Sequence, residues 1–171
     1  VRCYFAIILI ATAIIFANIL DRCVSIFDAL TKSVFQVASL ITSTGFSSTD
    51  FNLWPQICRT VLVLIMFIVA CAGSTGGGIK VSRVIVLFKT MIKELHSYIH
   101  PKSIRKVNLD GKPVEHEIVR SINVYIVTFV IIFASSVFMV AFDGKDLVTN
   151  FTAVLTTINN MGPGLAEVGP T

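Results

Sequence analysis

Charge is scarce in this 171-residue chain: Asp, Glu, Lys and Arg make up 14%, against 54% hydrophobic residues, and the mean hydropathy is +0.82. That much apolar surface exceeds what one soluble core of this length can bury, which excludes an ordinary soluble globular enzyme. Cysteine spacing of the metal or disulfide kind is also missing. Cys3, Cys23, Cys58 and Cys71 are scattered without a CxxC pair, so they read as small hydrophobes. The sequence shows no nucleophile-base pair, no cofactor motif and nothing that calls for nucleic acid, so no enzyme activity is expected. Val1 to Leu20 lacks a basic leader followed by a small-residue cleavage site, and the first residue is not Met. No signal peptide is expected, and the chain reads as a piece of something longer.

What the chain has instead is apolar blocks long enough for a hydrocarbon layer of roughly 30 Å, which a helix crosses in about 20 residues. Tyr4 to Leu20 is the first span, closed by Asp21 and Arg22. Asp28 to Ile41 has helical spacing but includes Lys32, Gln36 and Ser39 and is too short to cross, so it reads as a re-entrant helix. Pro55 then starts a helix over Ile57 to Ala72, which breaks at Gly73-Ser74-Thr75-Gly76-Gly77-Gly78. Helix resumes over Ile79 to Ser97 and ends by Pro101. The polar stretch His100 to Glu117, with Asp110-Gly111 at its centre, reads as a surface connection with a small hairpin. Ile118 to Phe142 is another span, and Leu147 to Ile158 a second short helix leading to Asn159-Asn160-Met161-Gly162-Pro163-Gly164.

Charge placement orients these elements. Between Lys80 and Arg120 there are nine basic and four acidic residues, whereas the rest of the chain carries five basic and six acidic. By the positive-inside rule, residues 80–120 are largely cytoplasmic, and both short helices enter from the outside. Anionic lipid headgroups are a natural neighbour of that basic region.

The two halves repeat. With Gly45 set over Gly162, Val37 pairs with Val154, Ser39 with Thr156 and Ile41 with Ile158. The shared order is span, acidic connector, short helix, polar tripeptide, Gly. Non-helical backbone at membrane depth is tolerated only inside protein or along a water-filled cavity. A row of carbonyls aimed at an axis finds its partner in a dehydrated cation, and the C-terminal end of each short helix adds partial negative charge. The direct chemical reading is a pore for a monovalent cation, with the ion held at Thr42, Ser43, Thr44 and Gly45 and at Asn159, Asn160, Met161 and Gly162. The fold class expected is all-α: a polytopic membrane protein of repeated helix, pore loop, helix units around a central pore.

The glycine-rich break invites a phosphate-loop reading, but Ile79 separates the last Gly from Lys80 and Val81 follows it, and a membrane helix precedes it. An unwound segment over Gly73, Ser74, Thr75, Gly76, Gly77 and Gly78, with Lys80 after it, lining the conduction path is preferred to simple close helix packing. Lys80 and Arg83 either snorkel to the inner headgroups or face the pore. His96 and His100 read as a solvated pair, and the Asn150-Phe151-Thr152 sequon as accidental within a helix.

Ser43-Thr44-Gly45-Phe46, Gly73 to Lys80, His100-Pro101 leading to Asn108-Leu109-Asp110-Gly111, and Asn159 to Gly164 together resemble the Trk, Ktr and HKT superfamily of potassium uptake transporters, most closely the bacterial Trk-type membrane subunits. The resemblance implies four helix, pore loop, helix repeats around one pore, one filter glycine per repeat. Residues 1–99 would be the third repeat, 100–117 a cytoplasmic connector and 118–171 a fourth repeat lacking its last helix. It further implies a gating loop at Gly73 to Gly78, a homodimer, a cytosolic nucleotide-binding regulatory subunit and a bacterial inner-membrane location. The function so implied is potassium uptake driven by membrane voltage, with symport of a coupling ion left open. The competing reading is a non-conducting membrane sensor or assembly subunit that keeps a pore-like fold.

Overall fold

The computed structural model describes residues 2–69, 77–99, 108–109 and 112–170. Among the described residues six α-helices carry the architecture: α1 (Arg2–Ile19), α2 (Ile26–Ile41), α3 (Gln56–Phe67), α4 (Val81–Ile99), α5 (His116–Val140) and α6 (Leu147–Asn159). Two of them, with their flanking turns Arg2–Arg22 and His116–Asp143, are long and apolar enough to cross a membrane. At 1.5 Å per residue α5 is about 37 Å long.

Helix α1 is apolar on all sides, so its buried face is set by spacing: Ala11, Ile15 and Ile19 recur one turn apart and point inward. Phe5, Leu9 and Ile10 stay exposed. Helix α2 starts where the Ser25 hydroxyl accepts the Asp28 N–H (3.2 Å), and the Asp28 carboxylate then pairs with Lys32 one turn on at 2.7 Å. Its inner face mixes Val37, Leu40 and Ile41 with fully buried Ser33 and Gln36; Ser33 Oγ donates back to the Ala29 carbonyl at 2.6 Å.

Pro55 precedes α3, whose inward residues are Cys58, Leu62, Ile65 and Met66. The helix stops at Phe67, earlier than the break expected after Ala72, because Ile68 turns to extended backbone. Ile68–Val69 (β1) pairs in parallel with Ile79–Lys80 (β2), Ile68 opposite Ile79 and Val69 opposite Lys80. The extra ladder explains the early stop: two residues assigned to the helix by composition instead bond to the strand that leads into α4. The expected hairpin is present as β3 (Asn108–Leu109) and β4 (Lys112–Pro113), antiparallel, and Lys89 on α4 donates to the Asn108 carbonyl at 2.8 Å.

One core joins both halves. Residues of α1, α2 and α3 share it with Leu155 of α6 and with Met161 and Leu165 beyond it. An aromatic cluster closes the seam between α3, α5 and α6. Phe133 stacks with Phe129 and meets Phe67 and Phe151 edge-on, the last at 5.1 Å between centroids. The outward side of α5, with Val127, Ile131 and Phe138, is left exposed, as a lipid-facing helix leaves it.

Truncation at the centre of that cluster tests the seam. Phe133→Ala is expected to cost about 3 kcal/mol, read as a fall in the unfolding temperature of the detergent-solubilised protein. Phe138→Ala, on the exposed side, is expected to stay within about 0.5 kcal/mol of the parent.

Candidate functional site

The segments that follow α2 and α6 are built alike. At the end of α2 the Ser43 N–H donates to the Leu40 carbonyl (3.1 Å) and the Thr44 N–H to the Ser39 carbonyl (2.9 Å). At the end of α6 the Asn160 N–H donates to Thr157 (3.3 Å) and the Met161 N–H to Thr156 (2.9 Å). This paired bonding is the Schellman arrangement, which needs one left-handed residue. Ser43 (φ 56°) and Asn160 (φ 53°) supply it, and two residues on Gly45 (φ 80°) and Gly162 (φ 89°) turn the same way. Both loops therefore repeat the same dihedral pattern at the register in which Gly45 overlies Gly162.

The two loops touch. A Cβ on Gly45 would lie 2.3 Å from the Met161 carbonyl oxygen, and one on Gly162 would lie 3.6 Å from Gly45 Cα. Position 45 therefore excludes a side chain twice over, by its dihedral and by its neighbour. Among the described residues no donor reaches the carbonyl oxygens of Thr42, Ser43, Thr44 and Gly45, or of Asn159, Asn160, Met161 and Gly162. Thr42, Thr44, Asn160 and Gly162 are exposed, while Met161 is buried. Thr42 Oγ1 and Thr44 Oγ1 lie 2.7 Å apart, and Ser39 Oγ holds the Phe46 carbonyl. The side chain of Asn159 turns inward. It is fully buried, and its Nδ2 donates to the Met66 carbonyl at 2.9 Å, so only its main chain belongs to the exposed strand.

A brace above the loops was not anticipated from sequence. Asn52 reaches the other half of the chain: its Oδ1 accepts the Ala166 N–H (2.9 Å) and its Nδ2 donates to the Ala166 carbonyl (3.3 Å). A Cβ on Gly169 would sit 2.1 Å from Asn52 Nδ2. Asn52 is itself placed by Asp50, whose carboxylate accepts its N–H at 2.9 Å. Buried Thr152 holds the same outer segment by accepting the Leu165 N–H at 3.1 Å. Asp50 ahead of Phe51-Asn52 signals a local turn in the sequence, but nothing there points to a partner at Ala166. Farther out Lys145 pairs with Glu167. The bond to that carboxylate raises the Lys145 pKa, so the ammonium's part in the pair is complete below the ordinary lysine value and is lost as pH rises through the raised one.

Of the glycine-rich segment, Gly73, Ser74, Thr75 and Gly76 lie outside the described residues, as do Cys71 and His100. Gly77 packs against the second loop, where a Cβ would lie 3.2 Å from the Asn159 carbonyl carbon and oxygen. Gly78 (φ 74°) offers its carbonyl to the Tyr125 hydroxyl of α5 at 3.0 Å. Arg83 lies over the Tyr125 ring, 3.9 Å from the centroid, so its guanidinium rests on α5. Lys80 is half-buried in β2. Asn150 of the sequon is buried in α6 and donates to the Lys145 carbonyl.

Comparison with known proteins places this arrangement. The family model described as TrkH, cation transport protein, matches residues 4–169. The Trk system potassium uptake protein TrkH of Vibrio parahaemolyticus is 34% identical over 142 residues, 83% of this chain and 29% of that protein. TrkH of Escherichia coli K12 is 32% identical over 165 residues, 96% of this chain and 34% of the relative. TrkG of the same organism is 33% identical over 132 residues, covering 77% and 27%. The crystal structure of the potassium transporter TrkH from Vibrio parahaemolyticus superposes with a TM-score of 0.88 at 31% identity, over 98% of this chain and 36% of that one. The chain thus spans about a third of the length of the relatives it matches.

The brace gives a direct expectation. Asn52→Ala removes both bonds to Ala166 and is expected to destabilise the solubilised protein by about 1–3 kcal/mol. Asn52→Asp keeps the acceptor for the Ala166 N–H and is expected to lose less; equal unfolding temperatures for all three proteins would show that the brace holds nothing.

Proposed function

Because the chain belongs to the TrkH family of cation transport proteins, we propose that it contributes two of four repeats to a pore for potassium uptake across the bacterial cytoplasmic membrane. In this reading residues 1–99 are the third repeat and 118–171 most of the fourth, joined by a cytoplasmic connector over 100–117. The family's members named above are transporters, and no catalytic step is assigned to any residue. The filter is formed by the main-chain oxygens of Thr42 to Gly45 and Asn159 to Gly162.

The observation that carries this reading is the adjacency of Gly45 and Gly162, with their loops in the same left-handed pattern and their carbonyls without donors among the described residues. An alkali ion that sheds water needs oxygens already held in place, and carbonyl rings supply them. Two loops give half of such a ring; the remaining repeats of the family give the other half. Helices α2 and α6 end at these loops, so the negative ends of both dipoles favour a cation there. One glycine per loop makes fewer well-formed sites than a loop with two, which points to modest discrimination against sodium. Uptake follows the membrane voltage, worth about 2.3 kcal/mol per unit charge per 100 mV. The gate is the segment Gly73 to Gly78, of which Gly77 packs against the second filter loop. The assembly is a homodimer served by a cytosolic nucleotide-binding regulatory subunit, in keeping with relatives named as parts of a Trk system.

Gly45→Ser in the full-length transporter is expected to lower the potassium-to-sodium permeability ratio by about tenfold, the equivalent of the 1–2 kcal/mol by which a left-handed dihedral penalises a side chain. Gly144→Ala is the control: its φ is 69° but a Cβ there meets nothing within 4 Å, so ion preference stays unchanged. A Gly45→Ser protein with parental uptake and selectivity would remove the filter assignment. Deletion of residues 73–78 is expected to raise ion flux several-fold in proteoliposomes, and folded protein with no flux would make that segment a packing element.

A further inference from the structure

Between the first turns of α3 and α6 lies a partly open cleft of about 350 Å3. Gln56 and Arg59 of α3 face Leu147 of α6 at one end of it, and Val63, Phe151 and Leu165 line the other. Helix register orders these residues by depth. Gln56 and Leu147 are the first residues of their helices, Arg59 and Phe151 lie about one turn further along, and Val63 another turn. Both helices begin at a charged level: Arg22, after α1, donates to the Leu53 carbonyl just before α3 at 3.0 Å, and Asp146 caps α6 through the Val148 N–H at 3.2 Å. The polar end of the cleft therefore lies at the headgroup level and the apolar end reaches into hydrocarbon.

Arg59 gives the cleft its chemistry. Its Nη2 donates to Gln56 Oε1 at 2.6 Å, which fixes the planar fork, while its Nε is buried and meets no acceptor. Among the described residues no carboxylate lies within 4 Å of it. A cation with five N–H donors thus stands at the mouth of an apolar cleft with most of its bonding capacity unused. A water, at roughly 30 Å3, would leave the apolar walls uncovered. By contrast, a second cleft, between α4 and α5 at Leu87, Met91 and Val127, has no charged side chain in its lining.

We propose that the cleft between α3 and α6 binds an anionic phospholipid, its phosphate paired with Arg59 and one acyl chain laid along Val63 and Phe151. The guanidinium fork matches a phosphate with two parallel charge-assisted bonds. A zwitterionic headgroup offers the same phosphate but brings an ammonium that competes with Arg59 for it. The acyl chain gains by close packing against fixed walls rather than by leaving water. The proposal rests on the membrane location of the chain and is independent of the filter and its ion.

The test uses the full-length transporter, delipidated in a neutral detergent and supplied with phosphatidylglycerol or phosphatidylcholine of identical acyl chains. Lipid retained per protein is read by native mass spectrometry, alongside the rise in unfolding temperature. The parent is expected to hold phosphatidylglycerol about tenfold more tightly than phosphatidylcholine, a difference of about 1.4 kcal/mol. Arg59→Gln is expected to abolish that preference and to leave the unfolding temperature of the lipid-free protein unchanged. Arg59→Lys keeps the charge without the fork and is expected to keep part of the preference. Leu147→Trp, at an exposed position on the opposite wall, narrows the cleft and is expected to weaken both lipids alike. Inorganic phosphate is expected to leave the unfolding temperature where it was.

Equal retention of the two lipids by the parent would overturn the proposal, as would a preference that Arg59→Gln leaves intact. Stabilisation by inorganic phosphate to the same extent as by phosphatidylglycerol would make Arg59 a plain anion site with no lipid in the cleft. Lipid retention unchanged in both Arg59→Gln and Leu147→Trp would mean that another segment of the transporter fills the cleft. Should Arg59→Gln not fold, Arg59→Lys and Leu147→Trp decide the matter by the same measurements.

Discussion

A peptide group held in hydrocarbon without a hydrogen bond costs several kcal/mol, and most of this chain is arranged around that penalty. Where the backbone is helical the cost is met within the element, which is why α1 and α5 tolerate side chains of almost any apolar shape. Where it is not helical, several departures among the described residues are accompanied by a named partner. Ser43 and Asn160 turn left-handed so that the last carbonyls of α2 and α6 keep a donor. Asn159 supplies an amide to the end of α3, and Tyr125 a hydroxyl to Gly78. Among the described residues the carbonyls from Thr42 to Gly45 and from Asn159 to Gly162 meet no donor, the same exception in both halves.

The repetition is more exact in the backbone than in the side chains. Thr42-Ser43-Thr44 and Asn159-Asn160-Met161 share no residue, yet the bond pattern and the sign of φ agree position for position. What has been kept is a conformation that ordinary L-residues reach with difficulty. Its outer support is not symmetric: Asn52 grips Ala166, and Thr152 grips Leu165, so the two halves hold each other by different means.

Much of this was legible from composition and spacing, because long apolar runs and glycine breaks are decided locally. The spans over Tyr4 to Leu20 and Ile118 to Phe142 appear within two residues of the expected ends, and the pairing of Gly45 with Gly162 emerged from the order of parts. The early end of α3 was not legible, since Ile68 and Val69 are as apolar as the helix before them and only their pairing with Ile79 and Lys80 removes them from it. Asn52 escaped notice because its partner lies 114 positions away. Asn159 was found as part of a motif, but the inward turn of its side chain depends on where α3 happens to end.

The short ladder between Ile68–Val69 and Ile79–Lys80 has a mechanical consequence. It stitches α3 to the start of α4 directly, so a pull on the basic helix reaches the apolar one through two hydrogen-bonded strands. The two helices are separate in sequence but continuous under load.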